Sequence, residues 1–271
     1  MTWIRAAYGA VAMAFALAVA TLVPNSWLAA LACTLIAVAL IRPWRDPRRL
    51  TLAGNPVRPF LIGVAVTTAS ATLTFGLATL AGWLTWGPIN PRQVATFLIT
   101  NAVIAVLLEA FPEELTLRGH TYSTLRTTQR PWQAAVITTA FFLVTPALSS
   151  VIESALILGA HKPWLAPPGE DPISYLVLLA VFGFTLIAAR TATNSLWTAI
   201  GTHLTFLTVN RLTLYGEDRS AGWSMHLESP DAILLIPLYL LLATIAFRVI
   251  RRLTGSGSAC GSRVGSARAR S

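Results

Sequence analysis

The residues best suited to chemistry are two adjacent carboxylates, Glu113 and Glu114, followed four positions later by Arg118 at the end of a long apolar run. A charged side chain at the edge of a membrane's hydrocarbon region is costly, so a glutamate pair there is a functional candidate by default. In a helix, Glu114 and Arg118 form an i,i+4 pair with the acid first, which is the favourable order. Glu113 then points about 100° away around the helix and is available for another role.

A plainer interpretation of the same residues is an ordinary helix start. Pro112 precedes the two acids, and proline at the first helical position with acids in the first turn is common. Glu109 argues against this interpretation, because it lies one turn before Glu113 inside the apolar run 102–111. A helix cap does not explain a carboxylate there.

The composition indicates a membrane protein. Of the 271 residues, 55% are hydrophobic and only 11% are charged, with a mean hydropathy of +0.63, whereas soluble domains carry about 25% charged residues. Several apolar stretches are long enough to cross a hydrocarbon core of about 30 Å. They predict an all-α polytopic protein with about eight transmembrane helices, at 4–23, 27–41, 60–84, 94–111, 132–158, 173–189, 193–212 and 232–250.

The arginines predict how these segments are oriented. Basic residues follow the second, fourth, sixth and eighth segments, whereas the other loops hold mostly acids, so the basic ends are predicted to face the cytoplasm. The loop 159–172, with His161, is then predicted to lie outside. The net charge of +9 and the pI near 10.7 are therefore interpreted as topology signals beside anionic lipid, with no nucleic acid as partner. The arginines concerned are Arg42, Arg45, Arg48, Arg49, Arg58, Arg118, Arg126, Arg130, Arg190, Arg248, Arg251, Arg252, Arg263, Arg268 and Arg270.

The domain organisation predicted from these patterns is simple. Residues 1–253 form one transmembrane domain in the cell membrane, and residues 254–271, rich in Gly, Ser and Arg, form a disordered basic cytoplasmic tail. The first segment could instead be a cleaved signal peptide, because Arg5 precedes an apolar core. A retained helix is favoured, since the run is long and no soluble domain follows. Cys33 and Cys260 offer neither a disulfide framework nor a metal spacing.

Local signals place the polar residues on particular helices. Asn90 and Pro91 predict the start of helix four, which is expected to end near Phe111 with the glutamate pair at its cytoplasmic end. Pro146 predicts a kink in helix five. His203 lies in helix seven beside a stripe of threonines, which can simply join helices through hydroxyls; these are Thr198, Thr202, Thr205 and Thr208.

Three features together resemble the CPBP family of intramembrane endopeptidases, which includes the CAAX prenyl endopeptidase and bacterial relatives linked to bacteriocin self-immunity. The family carries EExxxR, FxxxH and HxxxN or HxxxD motifs on different helices. Residues 113–118 match the first motif in full, and residues 194–203, ending in His203, are similar to the lead-in of the third. The resemblance covers about residues 94–212.

Two positions depart from the family pattern. Where the second motif has its histidine, this chain has Thr145 or Pro146. The third motif keeps His203 but has Leu207 at the following i+4 position. Asn210 lies two turns from His203, about 10 Å along the axis, and is not expected to replace the missing amide.

The resemblance implies peptide hydrolysis at the membrane by a glutamate-activated water. Glu113 would be the general base, Glu114 a structural or metal partner, Arg118 its counter-ion and His203 the remaining imidazole. Thr145 would stand in place of the lost histidine. Such hydrolysis needs an activated water and a donor for the developing oxyanion. We therefore expect a cavity open to the cytoplasm between helices four, five and seven, with His203 approaching Glu113.

The cofactor and the activity stay open at this stage. Zinc usually takes three protein ligands and keeps an open position, and Glu114 and His203 are the candidate metal ligands, with Glu109 or Glu153 less well placed as a third. The expected partners are a peptide or protein substrate and the lipid bilayer. The alternative is a catalytically inactive relative that binds a peptide or lipidated partner, for example as an immunity protein. A transporter is disfavoured, because no inverted repeat is evident.

Overall fold

The computed structural model describes residues 2–157, 163–167 and 169–265. In this part of the chain the structure is helical apart from short connections, two short 3₁₀ turns and a small hairpin. The helices are α1 (Thr2–Thr21), α2 (Ser26–Ile41), α3 (Val57–Leu80), α4 (Pro91–Leu125), α5 (Pro131–Leu156), α6 (Pro172–Thr193), α7 (Leu196–Thr213) and α8 (Leu235–Gly265), and the strands are β1 (Leu84–Trp86) and β2 (Met225–Leu227).

The prediction of an all-α polytopic membrane protein is confirmed. Seven of the described helices are long and apolar enough to cross a membrane, and α7 is the exception. The reason lies in the packing of α7, which contacts α3, α4 and α6. Its threonines Thr198, Thr202 and Thr205 are buried against these neighbours. A helix that faces protein on several sides does not need an apolar surface.

The basic ends of the helices meet at one end of the bundle. Arg5 and Arg49 line one cleft, and Arg49 lines a second together with Arg126, Arg190 and Arg251. These residues come from the start of α1, the connection after α2, the ends of α4 and α6, and α8. This end of the bundle, called the basic end below, is the end that the charge pattern assigns to the cytoplasm.

Helix α4 corrects the prediction that helix four ends near Phe111. It continues for 35 residues through Pro112 and contains two π-helical segments, Val106–Ala110 and Glu114–Thr121. The glutamate pair therefore lies within a helix, about 16 Å from its basic end. It is neither the first turn of a new helix nor the end of an old one.

Two side chains of α2 explain how a helix can pass through Pro112. Proline has no N–H, so the carbonyls four and five residues earlier, on Leu108 and Leu107, lose a donor. Cys33 donates its Sγ–H to the Leu108 carbonyl over 3.2 Å, and Thr34 donates its hydroxyl to the Leu107 carbonyl. The sequence pattern indicated neither a disulfide nor a metal site for Cys33, and this contact gives it a structural role.

Close contacts between helices fix the rest of the scaffold. The hydroxyl of Thr121 on α4 donates to the Ala6 carbonyl of α1 over 2.8 Å. A Cβ on Gly9 would collide with Thr116 and Thr121, so α1 and α4 pack at a glycine. Whether the first segment is a retained helix stays a prediction.

The opposite end of the bundle is capped by the antiparallel pair β1–β2, with Thr85 opposite His226. The indoles of Trp86 and Trp223 stack there with centroids 4.4 Å apart. The loop predicted to face outward lies partly beyond the description, since residues 158–162, including His161, and residue 168 are outside the described residues. Helix α8 continues to Gly265, and the disorder of the tail stays a prediction.

Candidate active site

The centre of the candidate site is Glu114. Its Oε1 lies 3.0 Å from Nδ1 of His203 on α7 and 3.3 Å from Nη1 of Arg118, one turn further along α4. All three side chains are at most 3% exposed. The ion pair predicted from the i,i+4 spacing is therefore present, and the threonine stripe is not the hydrogen-bonding partner of the His203 ring. We call Glu114, Arg118 and His203 the buried cluster.

Local sequence explains how His203 is brought to this point. Asn194 ends α6 in the left-handed region, with φ of 51°, which asparagine tolerates better than most residues. Ser195 then caps α7, its hydroxyl accepting from the Trp197 N–H over 3.3 Å. The chain reverses within two residues, and His203 follows two turns into α7.

Two aromatic rings cover the buried cluster. The guanidinium carbon of Arg118 lies 4.2 Å from the centroid of the Phe142 ring of α5. The Phe182 ring of α6 meets the His203 ring edge-on, with centroids 4.9 Å apart and an interplanar angle of 88°. The two phenylalanines contact each other at 6.0 Å. Such a desolvated cation–π contact stabilises a buried charge by about 2 kcal/mol.

Several polar atoms of the buried cluster have unused hydrogen-bonding capacity. The three guanidinium nitrogens of Arg118 and Oε2 of Glu114 form no hydrogen bond with any described residue. Buried polar groups are nearly always bonded. The cluster therefore carries N–H donors and a carboxylate oxygen that could take part in chemistry.

Glu113 has a different environment from its neighbour. It is partly exposed, and its carboxylate forms no hydrogen bond or ion pair with another described residue. It is close enough to His203, Glu109 and Arg118 to interact with them electrostatically. The hydrogen bond of His203 goes to Glu114, and the expected approach of His203 to Glu113 stays a prediction. The two acids face different directions, as the 100° rotation between adjacent helical residues requires.

Three other sequence candidates are engaged elsewhere. Thr145 is 2% exposed and donates its hydroxyl to the Phe141 carbonyl over 2.8 Å. The amide of Asn210 donates to the hydroxyl of Tyr239 on α8 over 3.0 Å. Glu109, a possible third metal ligand, forms an ion pair with Arg211 of α7.

The donor set does not match a zinc site. No three His, Cys, Asp or Glu side chains within the described ranges are grouped so that they could hold a metal ion. The candidate ligands Glu114 and His203 bond to each other, and Arg118 adds a positive charge beside them. Zinc usually takes three protein ligands, so these residues do not fit a zinc ion in this arrangement.

The two best-formed clefts of the described residues lie away from the predicted cavity between helices four, five and seven. Two clefts, of about 570 and 420 Å³, lie at the basic end, and neither is lined by Glu113, Glu114 or His203. The aromatic cover explains the difference. Phe142 and Phe182 are 4% and 2% exposed and fill the space beside the buried cluster.

Sequence reasoning missed this aromatic cover. Phe142 stands within the degenerate second motif, so its position near the cluster could have been inferred from the motif. Phe182 belongs to a uniformly apolar helix, and no local pattern distinguishes it from its neighbours.

Comparison with protein families agrees with the motif positions. The family model described as type II CAAX prenyl endopeptidase Rce1-like matches residues 93–209. This segment is similar to that family. The match includes the whole of the buried cluster and Glu113, and it confirms the family prediction. No curated protein and no solved structure matched the chain.

Proposed function

We propose that this chain is a membrane endopeptidase of the CAAX type, in which Glu113 activates the water that hydrolyses a peptide bond. The observation that carries the proposal is the juxtaposition of an unpaired Glu113 carboxylate with the buried cluster inside the family core. Each group has a distinct task in the reaction.

Glu114 is the positioning residue. By accepting a hydrogen bond from Nδ1–H of His203, it sets the tautomer and orientation of the imidazole and leaves Nε2 for the substrate. When the imidazole is protonated, both of its ring nitrogens carry a proton. In that form Nε2–H donates a hydrogen bond. Arg118 is the counter-ion of Glu114 and supplies further donors.

The reaction proceeds in two proton transfers. Glu113 takes a proton from water as the water oxygen bonds to the peptide carbonyl carbon. The resulting oxyanion accepts hydrogen bonds from His203 and from the unbonded N–H groups of Arg118. The C–N bond then breaks, and the leaving nitrogen takes the proton back from Glu113.

The proposal requires the aromatic cover to open. Phe142 and Phe182 separate the buried cluster from a substrate. A peptide that enters at the membrane must displace at least one of these rings. Hydrolysis is expected to be slow, because residue 145 is a threonine, Thr145, and offers no imidazole to assist Glu113.

A peptide-cleavage assay on detergent-purified protein tests the proposal. Glu113→Gln is expected to lower the rate by about 100-fold or more, the contribution of a general base. Asp218→Asn is the matched control, because Asp218 is an exposed loop carboxylate. Thr145→His is expected to increase the rate. Full activity in Glu113→Gln would reject Glu113 as the base.

Metal analysis of the same preparation tests the candidate ligands Glu114 and His203. Hydrolysis by Glu113 without a resident metal predicts zinc well below one equivalent. An equimolar amount of zinc in the wild type that is lost in His203→Gln would instead make this a metallopeptidase.

The second candidate is an inactive family member that binds a peptide or lipidated partner. The closed aromatic cover and the engaged Thr145 hydroxyl favour it. It predicts no cleavage by the wild type or by Thr145→His, together with binding of a peptide that is weakened by Phe142→Ala. Cleavage by the wild type would exclude it.

The proposal also includes an orientation in the cell membrane, with the basic end and the C-terminal tail in the cytoplasm. The clustering of arginines at one end of the bundle supports it. In intact cells, a cysteine placed at Asp218 is expected to react with an impermeant reagent, and one placed at Arg48 is expected to be protected. The opposite labelling pattern would invert the orientation.

A further inference from the structure

The larger cleft at the basic end is lined by residues that have no role in the proposed function. It has a volume of about 570 Å³ and is formed where the connection after α2, the ends of α4 and α6, and α8 meet. Its lining residues are Asp46, Arg49, Tyr122, Ser123, Arg126, Thr127, Pro131, Arg190, Thr191, Asn194 and Arg251.

The charges in this cleft are strongly unbalanced. Four arginines face a single acid, Asp46, and its carboxylate accepts from the backbone N–H of Arg49 over 3.1 Å. Within the described part of the chain, no ion pair joins any of the four arginines to a carboxylate. Like charges gathered in one cleft repel each other unless an anion lies between them.

Arg190 shows that the cleft is a built site as well as a charged surface. It is only 5% exposed. Its Nη2 donates to the Ser123 hydroxyl over 2.7 Å and its Nε to the Thr51 hydroxyl over 3.2 Å. The guanidinium also lies 4.8 Å from the Tyr122 ring centroid. The scaffold thus holds a cation in a fixed position without neutralising it.

The remaining nitrogen of Arg190 has no partner. Its Nη1 is buried and forms no hydrogen bond with a described residue. Arginines that act only as topology signals stay exposed and hydrated, as Arg48 and Arg248 do. A buried guanidinium with an unused donor, inside a cleft of the same charge, indicates a site for an anionic ligand.

We propose that this cleft binds a phosphate group, supplied by the headgroup of an anionic phospholipid or by a soluble phosphate. Guanidinium groups bind phosphate oxygens through paired, charge-assisted hydrogen bonds, and four arginines match the several oxygens of a phosphate. The predicted position of the cleft at the cytoplasmic surface favours lipid, because that leaflet carries anionic headgroups.

The smaller cleft extends the same surface. It shares Arg49 and Thr127 with the larger cleft and adds Arg5 and Thr2 from the start of α1. A headgroup phosphate bound in the larger cleft would therefore lie beside a further basic residue, Arg5, at the start of α1. Binding there is independent of catalysis, because none of these residues belongs to the candidate active site.

The test uses the full-length protein in a non-ionic detergent, with thermal unfolding as the readout. Phosphatidic acid is titrated in and compared with a diacylglycerol of the same acyl chains, which lacks only the phosphate. The phosphate site is disrupted by the double variant Arg126→Gln/Arg251→Gln, in which both changed residues lie at the cleft surface and leave Arg190 in place. The matched control, Arg48→Gln/Arg248→Gln, removes the same charge from exposed positions outside the cleft.

Phosphatidic acid is expected to raise the unfolding temperature of the wild type and of the control, whereas diacylglycerol is not. In the cleft variant its apparent affinity is expected to fall by about tenfold or more, because charge-assisted hydrogen bonds are lost. Inorganic phosphate that reproduces the stabilisation, with the same loss in the cleft variant, would identify a soluble phosphate as the ligand. Equal responses of the cleft variant and the control, or no response of the wild type to either phosphate, would overturn the proposal.

Discussion

Arg118 and Arg190 are the two most deeply buried arginines among the described residues, yet their surroundings differ. Arg118 is buried inside the bundle, 3.3 Å from the carboxylate of Glu114. Arg190 lies at the basic end and is held by the hydroxyls of Ser123 and Thr51, with no carboxylate in contact. Both guanidinium groups also lie over an aromatic ring.

The difference follows from the distance to water and lipid headgroups. In the interior, an uncompensated charge costs several kcal/mol, so the sequence supplies an acid one turn away. Near the headgroups, anions from outside the protein can compensate a charge, so the sequence needs only to position it. The first arrangement serves a preorganised site, and the second leaves a cation free to bind a ligand.

Breaking the interior pair is expected to have the largest effect. Arg118→Ala leaves Glu114 buried without its counter-ion, which costs about 3 to 5 kcal/mol of folding stability. The yield of folded protein from the membrane fraction should fall accordingly. Arg118→Ala combined with Glu114→Gln should recover part of this loss. Strictly additive losses in the two single variants and the double variant would show that the residues act independently.

Removing the cation at the basic end is expected to cost less. Arg190→Gln loses two hydrogen bonds from a charged donor but strands no buried acid, so the expected loss is about 2 kcal/mol. Thermal unfolding of both single variants in one detergent compares the two sites directly. A loss in Arg190→Gln as large as that in Arg118→Ala would contradict the difference between the two environments.

The interior and the basic end can also be compared through uncharged side chains. Thr34→Val removes the donor to the Leu107 carbonyl inside the bundle, and an unsatisfied buried carbonyl costs about 1 to 3 kcal/mol. Thr127→Val at the basic end removes an exposed hydroxyl bonded to the Thr124 carbonyl and should change stability by less than about 0.5 kcal/mol. Thermal unfolding of the two variants measures this difference, and similar losses would mean that the carbonyl of Leu107 is not stranded by Pro112.

Added salt is expected to have the smallest effect on the unfolding temperature, and this effect should arise at the arginines of the cleft. Added sodium chloride screens exposed charges but hardly affects a buried pair. It should slightly raise the unfolding temperature of the wild type by screening the arginines of the cleft, and this increase should shrink in Arg126→Gln/Arg251→Gln. A salt response that instead disappears in Arg118→Ala/Glu114→Gln would assign the effect to the interior.

The sequence predicted the helices and the interior pair because both depend on local information. Apolar runs report the membrane-crossing segments, and the spacing of Glu114 and Arg118 places them on one helix face. The continuation of α4 was not predictable in this way. Pro112 normally marks a helix boundary. The side chains that compensate for it, Cys33 and Thr34 of α2, lie 75 and 73 residues before the carbonyls that they bond.

The local sequence pattern also could not predict which residue forms a hydrogen bond with His203. Which carboxylate His203 meets depends on how α7 is rotated against α4, and that rotation is fixed by tertiary packing. A Cβ on Gly201 would collide with the backbone of Phe60, and one on Gly63 with the backbone of Thr198, so α3 and α7 cross at these glycines. Spacing along one chain does not report such a crossing.

In the proposed function, the buried cluster holds the site together while Glu113 performs the chemistry. Measuring peptide cleavage and thermal unfolding on the same preparations of wild type, Glu113→Gln and Glu114→Gln tests it most directly. Glu113→Gln should lose cleavage and keep the wild-type unfolding temperature, because its carboxylate has no partner among the described residues. Glu114→Gln should lose both, because it breaks the contacts with His203 and Arg118. Wild-type cleavage in Glu113→Gln, or an equal loss of stability in the two variants, would contradict the account.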